Sequence, residues 1–198
     1  MTAALHLPER QEWTVDDLGE LPKELNYELI NGRLVLPSAT PLHQDTCIEV
    51  VLSLRASCPP EYLVSVDQSL EVDRRNEPRP DVVVIRVEHA SRSPVPVRDA
   101  LLAVEVLSPS STFRDLHEKA GVYARAGIGT YWVIDALHDK MTLTEFRLEA
   151  GGGYRAGAHT DEVFTTEHPW PVTLDLPALT ARRDRVLGRR PAPATDPA

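Results

Sequence analysis

Three charged residues sit where chemistry could use them. Asp81 opens the apolar run DVVVI, Glu105 lies near the close of LLAVEVL, and Lys119 follows in a helical segment, one turn after Asp115. Two short runs rich in Val, Leu and Ile, joined by a Pro- and Arg-containing connection, predict two buried neighbouring strands. If those strands run antiparallel, the start of one faces the end of the other, and the two carboxylates meet at one edge of the sheet. Two buried like charges are costly unless a cation sits between them. A divalent metal is the simplest candidate. Mg²⁺ or Mn²⁺ takes carboxylate, water and phosphate oxygens, and one or two acids suffice. Such a site suits phosphodiester hydrolysis: the metal lowers the pKa of a bound water, and a nearby lysine polarises the nucleophile or stabilises the phosphoryl oxygens. Asp81 and Glu105 would be the ligands and Lys119 the cation. A structural salt bridge among the same three groups would leave the same pattern.

Other chemistries lack their residues. The chain has no Gly-rich phosphate loop, no nucleophile elbow and no cluster of Cys and His. Further candidates each carry a bland alternative. Glu28 is an acid in a mostly apolar strand, and pairing with Arg33 across a hairpin would satisfy it. His43 falls on a buried helix face, where a backbone partner would suffice. Arg79, beside Asp81, reads equally as a substrate-binding group or a solvated side chain. Asp115 stands three residues after Thr112, the spacing of a capping box. Tyr123, Tyr131 and Trp132 read as core. Arg182, Arg183, Arg185, Arg189 and Arg190 read as a solvated surface group.

The elements that must position these residues follow from local pattern. TVDDLGEL predicts a short helix capped by Thr14 and Asp17. Asn31-Gly32 predicts a hairpin between two strands. His43, Cys47, Val50 and Leu54 recur at helical spacing in one stripe, and Pro59 and Pro60 lie beyond that helix. EYLVSVDQSLEVD predicts one long strand, or two broken near Asp67 and Gln68. Residues 88–99 predict a surface loop. After LLAVEVL, Leu116, Ala120 and Tyr123 predict one helical stripe ending at Gly127. TYWVIDA then completes a strand–helix–strand crossover. Gly151-Gly152-Gly153 predicts a second hairpin, followed by one short edge strand and a closing helix near Pro177.

The 198 residues suffice for one sizeable core, expected over residues 1–188, with a disordered tail at 189–198. Two cysteines without metal-type spacing point to a reducing cytoplasm. No apolar stretch approaches membrane-spanning length, so a membrane partner is not expected. A net charge of −9 opposes tight non-specific binding to a polyanion.

Pro80-Asp81, Glu105 within VEVLSPSS, the D-x-x-x-K of Asp115 and Lys119, and the following GIGTYWVID resemble the Uma-two family of restriction endonucleases, within the PD-(D/E)XK nuclease superfamily. YELINGRLV, the His43 helix and the terminal strand region extend the resemblance to about residue 180. It implies an α/β, restriction-endonuclease-like fold: a central mixed β-sheet flanked by helices, with extra β-hairpins at the N-terminal and C-terminal ends. It also implies a Mg²⁺- or Mn²⁺-dependent endonuclease acting on DNA, with Asp81 and Glu105 as metal ligands and Glu28 as a further acid. In the superfamily pattern the lysine follows the second acid by two residues, which here is Leu107. The resemblance assigns that role to Lys119 on the next helix. Cutting both strands would call for two subunits, and so for a homodimer by analogy. A catalytically inactive nucleic-acid-binding or regulatory protein with the same fold is the alternative reading.

Overall fold

The computed structural model describes residues 10–22, 25–109, 111–112 and 114–189, except the side chain of Asp115. The expected tail therefore lies outside the described residues apart from Arg189. At the start of the described chain, Val15–Glu20 forms a 3₁₀ turn. Asp17 anchors it by accepting from both the backbone N–H and the hydroxyl of Thr14, at 2.8 and 2.7 Å. Strands β1 (Glu28–Ile30) and β2 (Arg33–Val35) form the expected hairpin. Asn31 and Gly32 turn at φ 50° and 78°, the left-handed pair that such a tight turn requires.

Helix α1 (Pro41–Arg55) begins at Thr40, whose hydroxyl accepts from the His43 amide at 3.2 Å. Strands β3 (Tyr62–Val66) and β4 (Leu70–Glu71) are separate, because Asp67 breaks the run at φ 48°. Strand β5 (Val82–Arg86) follows Asp81 directly. The segment expected to be surface loop contributes a two-residue strand, β6 (Val95–Pro96), which pairs with β4 and buries Val95 completely. Strand β7 (Ala100–Val106) is antiparallel to β5, with Val82 opposite Val104.

The connection after β7 departs from the sequence expectation. Residues Arg114–Lys119 form a π-helix, and only Ala120–Ala126 is the α-helix α2. The wider π turn rotates Leu116 out of the apolar stripe, leaving it 36% exposed while Tyr123 is buried. The hydroxyl of Thr112 donates to the Ser108 carbonyl, and the other half of the expected capping box, the Asp115 side chain, lies outside the described residues. Gly127 ends α2 at φ 86°, as glycine does in that position.

Strand β8 (Thr130–Asp135) runs parallel to β7 and completes the crossover. Strands β9 (Thr142–Leu148) and β10 (Tyr154–Thr160) form the second hairpin. The single edge strand expected next is instead a separate hairpin, β11 (Val163–Thr166) with β12 (Val172–Asp175), before α3 (Leu176–Val186). Val172, Leu174, Phe164 and Trp170 make it amphipathic enough to bury one face on the core. Arg183 is not solvated. It is 2% exposed and donates to the carbonyls of Ala136, His138 and Asp139, tying α3 to the loop after β8.

The central sheet is mixed, in the order β10-β9-β8-β7-β5-β3. Both of its faces are covered, which is why its inner strands read as nearly continuous apolar runs. Val82, Val84, Leu102, Val104 and Val106 face Cys47, Val50 and Leu54 of α1. Val83, Ala103, Leu107 and Val133 face Tyr123 of α2. Leu107 is therefore core, 4% exposed, on the same strand face as Glu105.

Candidate active site

The register of β5 and β7 carries one step further than Val82–Val104 and sets Asp81 against Glu105. Because β5 starts only at Val82, and Pro80 has no N–H to give, the sheet ladder stops here. The amide of Val106 turns instead to Asp81 Oδ2, at 2.7 Å. That bond aims Asp81 Oδ1 towards α1, where His43 Nε2 lies 3.1 Å away. Asp81 keeps 23% of its side chain exposed. His43 thus faces a site acid.

Glu105 is enclosed, with a side chain 1% exposed. Lys119 Nζ donates to Oε1 and Oε2, both at 3.0 Å, and the Tyr123 hydroxyl donates to Oε1 at 2.7 Å. Burial, then the nearby Glu105 and Glu28, hold the Tyr123 phenol well above its ordinary pKa, so it stays a protonated donor. Lys119, itself 4% exposed, also lies 2.6 Å from Glu28 Oε1 and 3.3 Å from the Arg79 carbonyl. A buried ammonium between two buried carboxylates satisfies the requirement that buried charges be paired. Glu28 accordingly does not pair with Arg33, which reaches only Glu118, at 4.0 Å.

The π turn explains how a lysine outside the strand reaches this point. In an α-helix, residues five apart point about 140° away from each other. With i→i+5 bonding they stand one above the other. Arg114 and Lys119 are five apart and both face Glu28, Arg114 with Nε at 3.8 Å from Oε2. Arg114 was invisible to motif reading, since nothing in RDLHEK marks a π turn.

Glu28, His43, Asp81, Glu105, Arg114 and Lys119 line one cleft of about 310 Å³. Arg79 lines it too, but its guanidinium is held by Asp67, with Nε 3.0 Å from Oδ1 and a second bond of 2.7 Å to the backbone carbonyl. Its backbone N–H donates to Glu28 at 3.1 Å. Arg79 is therefore braced in the cleft wall and is not the freely solvated side chain that was one of its two sequence readings.

The donor chemistry fits a hard divalent cation. Asp81 and Glu105 supply carboxylate oxygens at one strand edge. Cys47 Sγ, a ring nitrogen of His43 and an Asp81 oxygen also cluster, all within 4.8 Å of one another. Burial, reinforced by the charges of Asp81 and Glu105, pushes the Cys47 thiol up from its ordinary pKa.

The family model of Uma2, described as "Putative restriction endonuclease", matches residues 15–183. A crystal structure from Anabaena variabilis, described as "a putative nuclease belonging to DUF820", superposes with a TM-score of 0.65 at 18% identity, covering 86% of this chain and 98% of that one. That likeness establishes a shared fold. The comparison with curated proteins gives no match.

Proposed function

The chain belongs to the Uma2 family, and from that premise we propose that it is a divalent-metal-dependent endonuclease hydrolysing DNA phosphodiester bonds. The observation that carries this reading is Lys119, held by Glu28 and Glu105 at the edge where Asp81 ends its strand. Asp81 and Glu105 would hold Mg²⁺ or Mn²⁺. When bound, that cation supplies an acidified water and neutralises charge on the phosphate.

The chain's own residues do the rest. Glu28 fixes the Lys119 ammonium, which orients the attacking water and faces the phosphoryl oxygens. Tyr123 holds the Glu105 carboxylate in one orientation. Arg114 offers its guanidinium to a non-bridging phosphate oxygen. The charge balance of the cleft points the same way. Leaving His43 out of the count, Glu28, Asp67, Asp81 and Glu105 outnumber Arg79, Arg114 and Lys119 by one. One divalent cation reverses that sign, so a phosphodiester anion is welcomed only after the metal is in place.

Plasmid nicking with Mn²⁺ tests the proposal. Wild type is expected to nick, and Asp81→Ala to lose the activity. The Lys119–Glu28–Glu105 cluster is charge-paired without any metal, which an inactive relic of the fold would also retain. A wild type that nicks no DNA with Mg²⁺ or Mn²⁺ selects that reading.

A further inference from the structure

We propose that the cleft contains a second, softer cation set, His43, Cys47 and Asp81, which takes Zn²⁺ and thereby blocks the hard cation, because both sets need Asp81. Zinc capture itself does not depend on the nuclease reading; the inhibitory consequence does.

The geometry begins on α1. His43 and Cys47 are four residues apart, so both project from the same helix face into the cleft. The helix is fixed at that end by Thr40, which binds the His43 amide. Asp81 reaches them from the start of β5, and its second oxygen is held by Val106. Three ligand atoms from two rigid elements therefore lie within 4.8 Å of one another. Bonds of about 2.0–2.3 Å at tetrahedral angles put the ligands of one zinc ion about 3.3–3.7 Å apart. The 3.1 Å between His43 Nε2 and Asp81 Oδ1 needs to open by only a few tenths of an ångström.

Imidazole, thiolate and carboxylate are a zinc donor set, and three protein ligands leave a fourth position open to the cleft. Binding replaces the His43–Asp81 hydrogen bond with two coordinate bonds. The imidazole presents its unprotonated Nε2 and carries its proton on Nδ1. The Cys47 thiol releases its proton to solvent as the S–Zn bond forms. Mg²⁺ and Mn²⁺, which favour oxygen, leave that thiol protonated. The chain thus distinguishes soft from hard cations by which neighbour of Asp81 answers, Cys47 or Glu105.

Titration with Co²⁺ as a spectroscopic stand-in for Zn²⁺ reads the site without any nuclease assay. Wild type is expected to develop a thiolate-to-cobalt charge-transfer band that saturates at one equivalent and disappears as Zn²⁺ is added. The band should vanish in Cys47→Ser and in Cys47→Ala, two variants of which at least one should keep the wild-type melting profile, and persist in Cys58→Ser. A band absent from wild type, or surviving in both Cys47 variants, overturns the proposal. In parallel, Zn²⁺ is added to Mn²⁺-supported nicking. Wild type should be inhibited, and Cys47→Ser should need on the order of tenfold more Zn²⁺ for the same fractional inhibition. Equal inhibition of the two overturns the claim that zinc acts through this set. A correct cobalt band in a wild type that nicks nothing leaves the zinc site standing and removes the nuclease reading.

Discussion

The two ends of the β5–β7 strand pair each gather a histidine, an aspartate and one further ligand type, and have different fates. At one end stand His43, Cys47 and Asp81; at the other, Glu88 and His89 follow β5 while Asp99 precedes β7, again close enough to share an ion. Asp99, however, faces two guanidinium groups, Arg98 at 3.6 Å and Arg86 at 3.8 Å, besides the His89 ring at 3.0 Å. Glu88 and Arg98 are largely exposed there. Among the described residues no Lys or Arg pairs with Asp81. Lysine and arginine are spent instead on Glu28, Glu105 and Asp67, leaving one carboxylate at the cleft with only a histidine and an amide. Clustered acids alone do not mark a metal site; what separates Asp81 from Asp99 is the absence, among the described residues, of a fixed cation beside it.

The contrast can be broken most severely at Lys119. Lys119→Met leaves Glu28 and Glu105 buried together without their cation, and urea denaturation should show a loss of about 3–5 kcal/mol. Arg98→Met at the other end should stay within about 0.5 kcal/mol of wild type. Next is Leu107→Lys, which restores the superfamily's lysine position by sequence. Its side chain would enter the core beside Tyr123, so a cost of at least about 2–5 kcal/mol is expected, the range for truncating a buried leucine. A variant with unchanged stability and faster nicking would show that Lys119 had not replaced that position.

A smaller effect tests α1 as the wall that distinguishes the two ends. Thr40→Ala removes the cap that holds the His43 amide, and thermal or urea unfolding should register about 1 kcal/mol. Last is Asp99→Asn, which removes the charge facing Arg86 and Arg98 and is expected to leave any Mn²⁺ response intact. A lost response would move the metal site to the wrong end of the sheet.

Much of this arrangement was legible in the sequence because local chemistry and tertiary structure agree. Asn31-Gly32 could make only a tight left-handed turn, and the DVVVI and LLAVEVL runs could pair only as buried strands. Asp81 opposite Glu105 then follows from antiparallel register. The cost of Lys119 entering the site was hidden, since a π turn has no composition signal and the helical stripe through Leu116 assumed 3.6 residues per turn. The brace on Arg79 was hidden because its partner, Asp67, lies across a break that sequence shows without showing where the chain goes next. Arg183 looked like one of several surface arginines; three backbone carbonyls left bare after β8 make it core. Cys47 read as apolar filler in a stripe with His43, and only Asp81 arriving from another element turns that pair into a ligand set.

The most direct test of the central claim compares thermal unfolding of wild type and Asp81→Asn, each in EDTA and in Mn²⁺. Because the cation binds the native state alone, a hundredfold excess over its dissociation constant should stabilise wild type by about 2.7 kcal/mol. Asp81→Asn keeps an oxygen acceptor for the Val106 amide, so in EDTA it should match or exceed wild type. It should then gain little from Mn²⁺. A Mn²⁺ shift of equal size in both proteins would contradict Asp81 as the metal-holding acid.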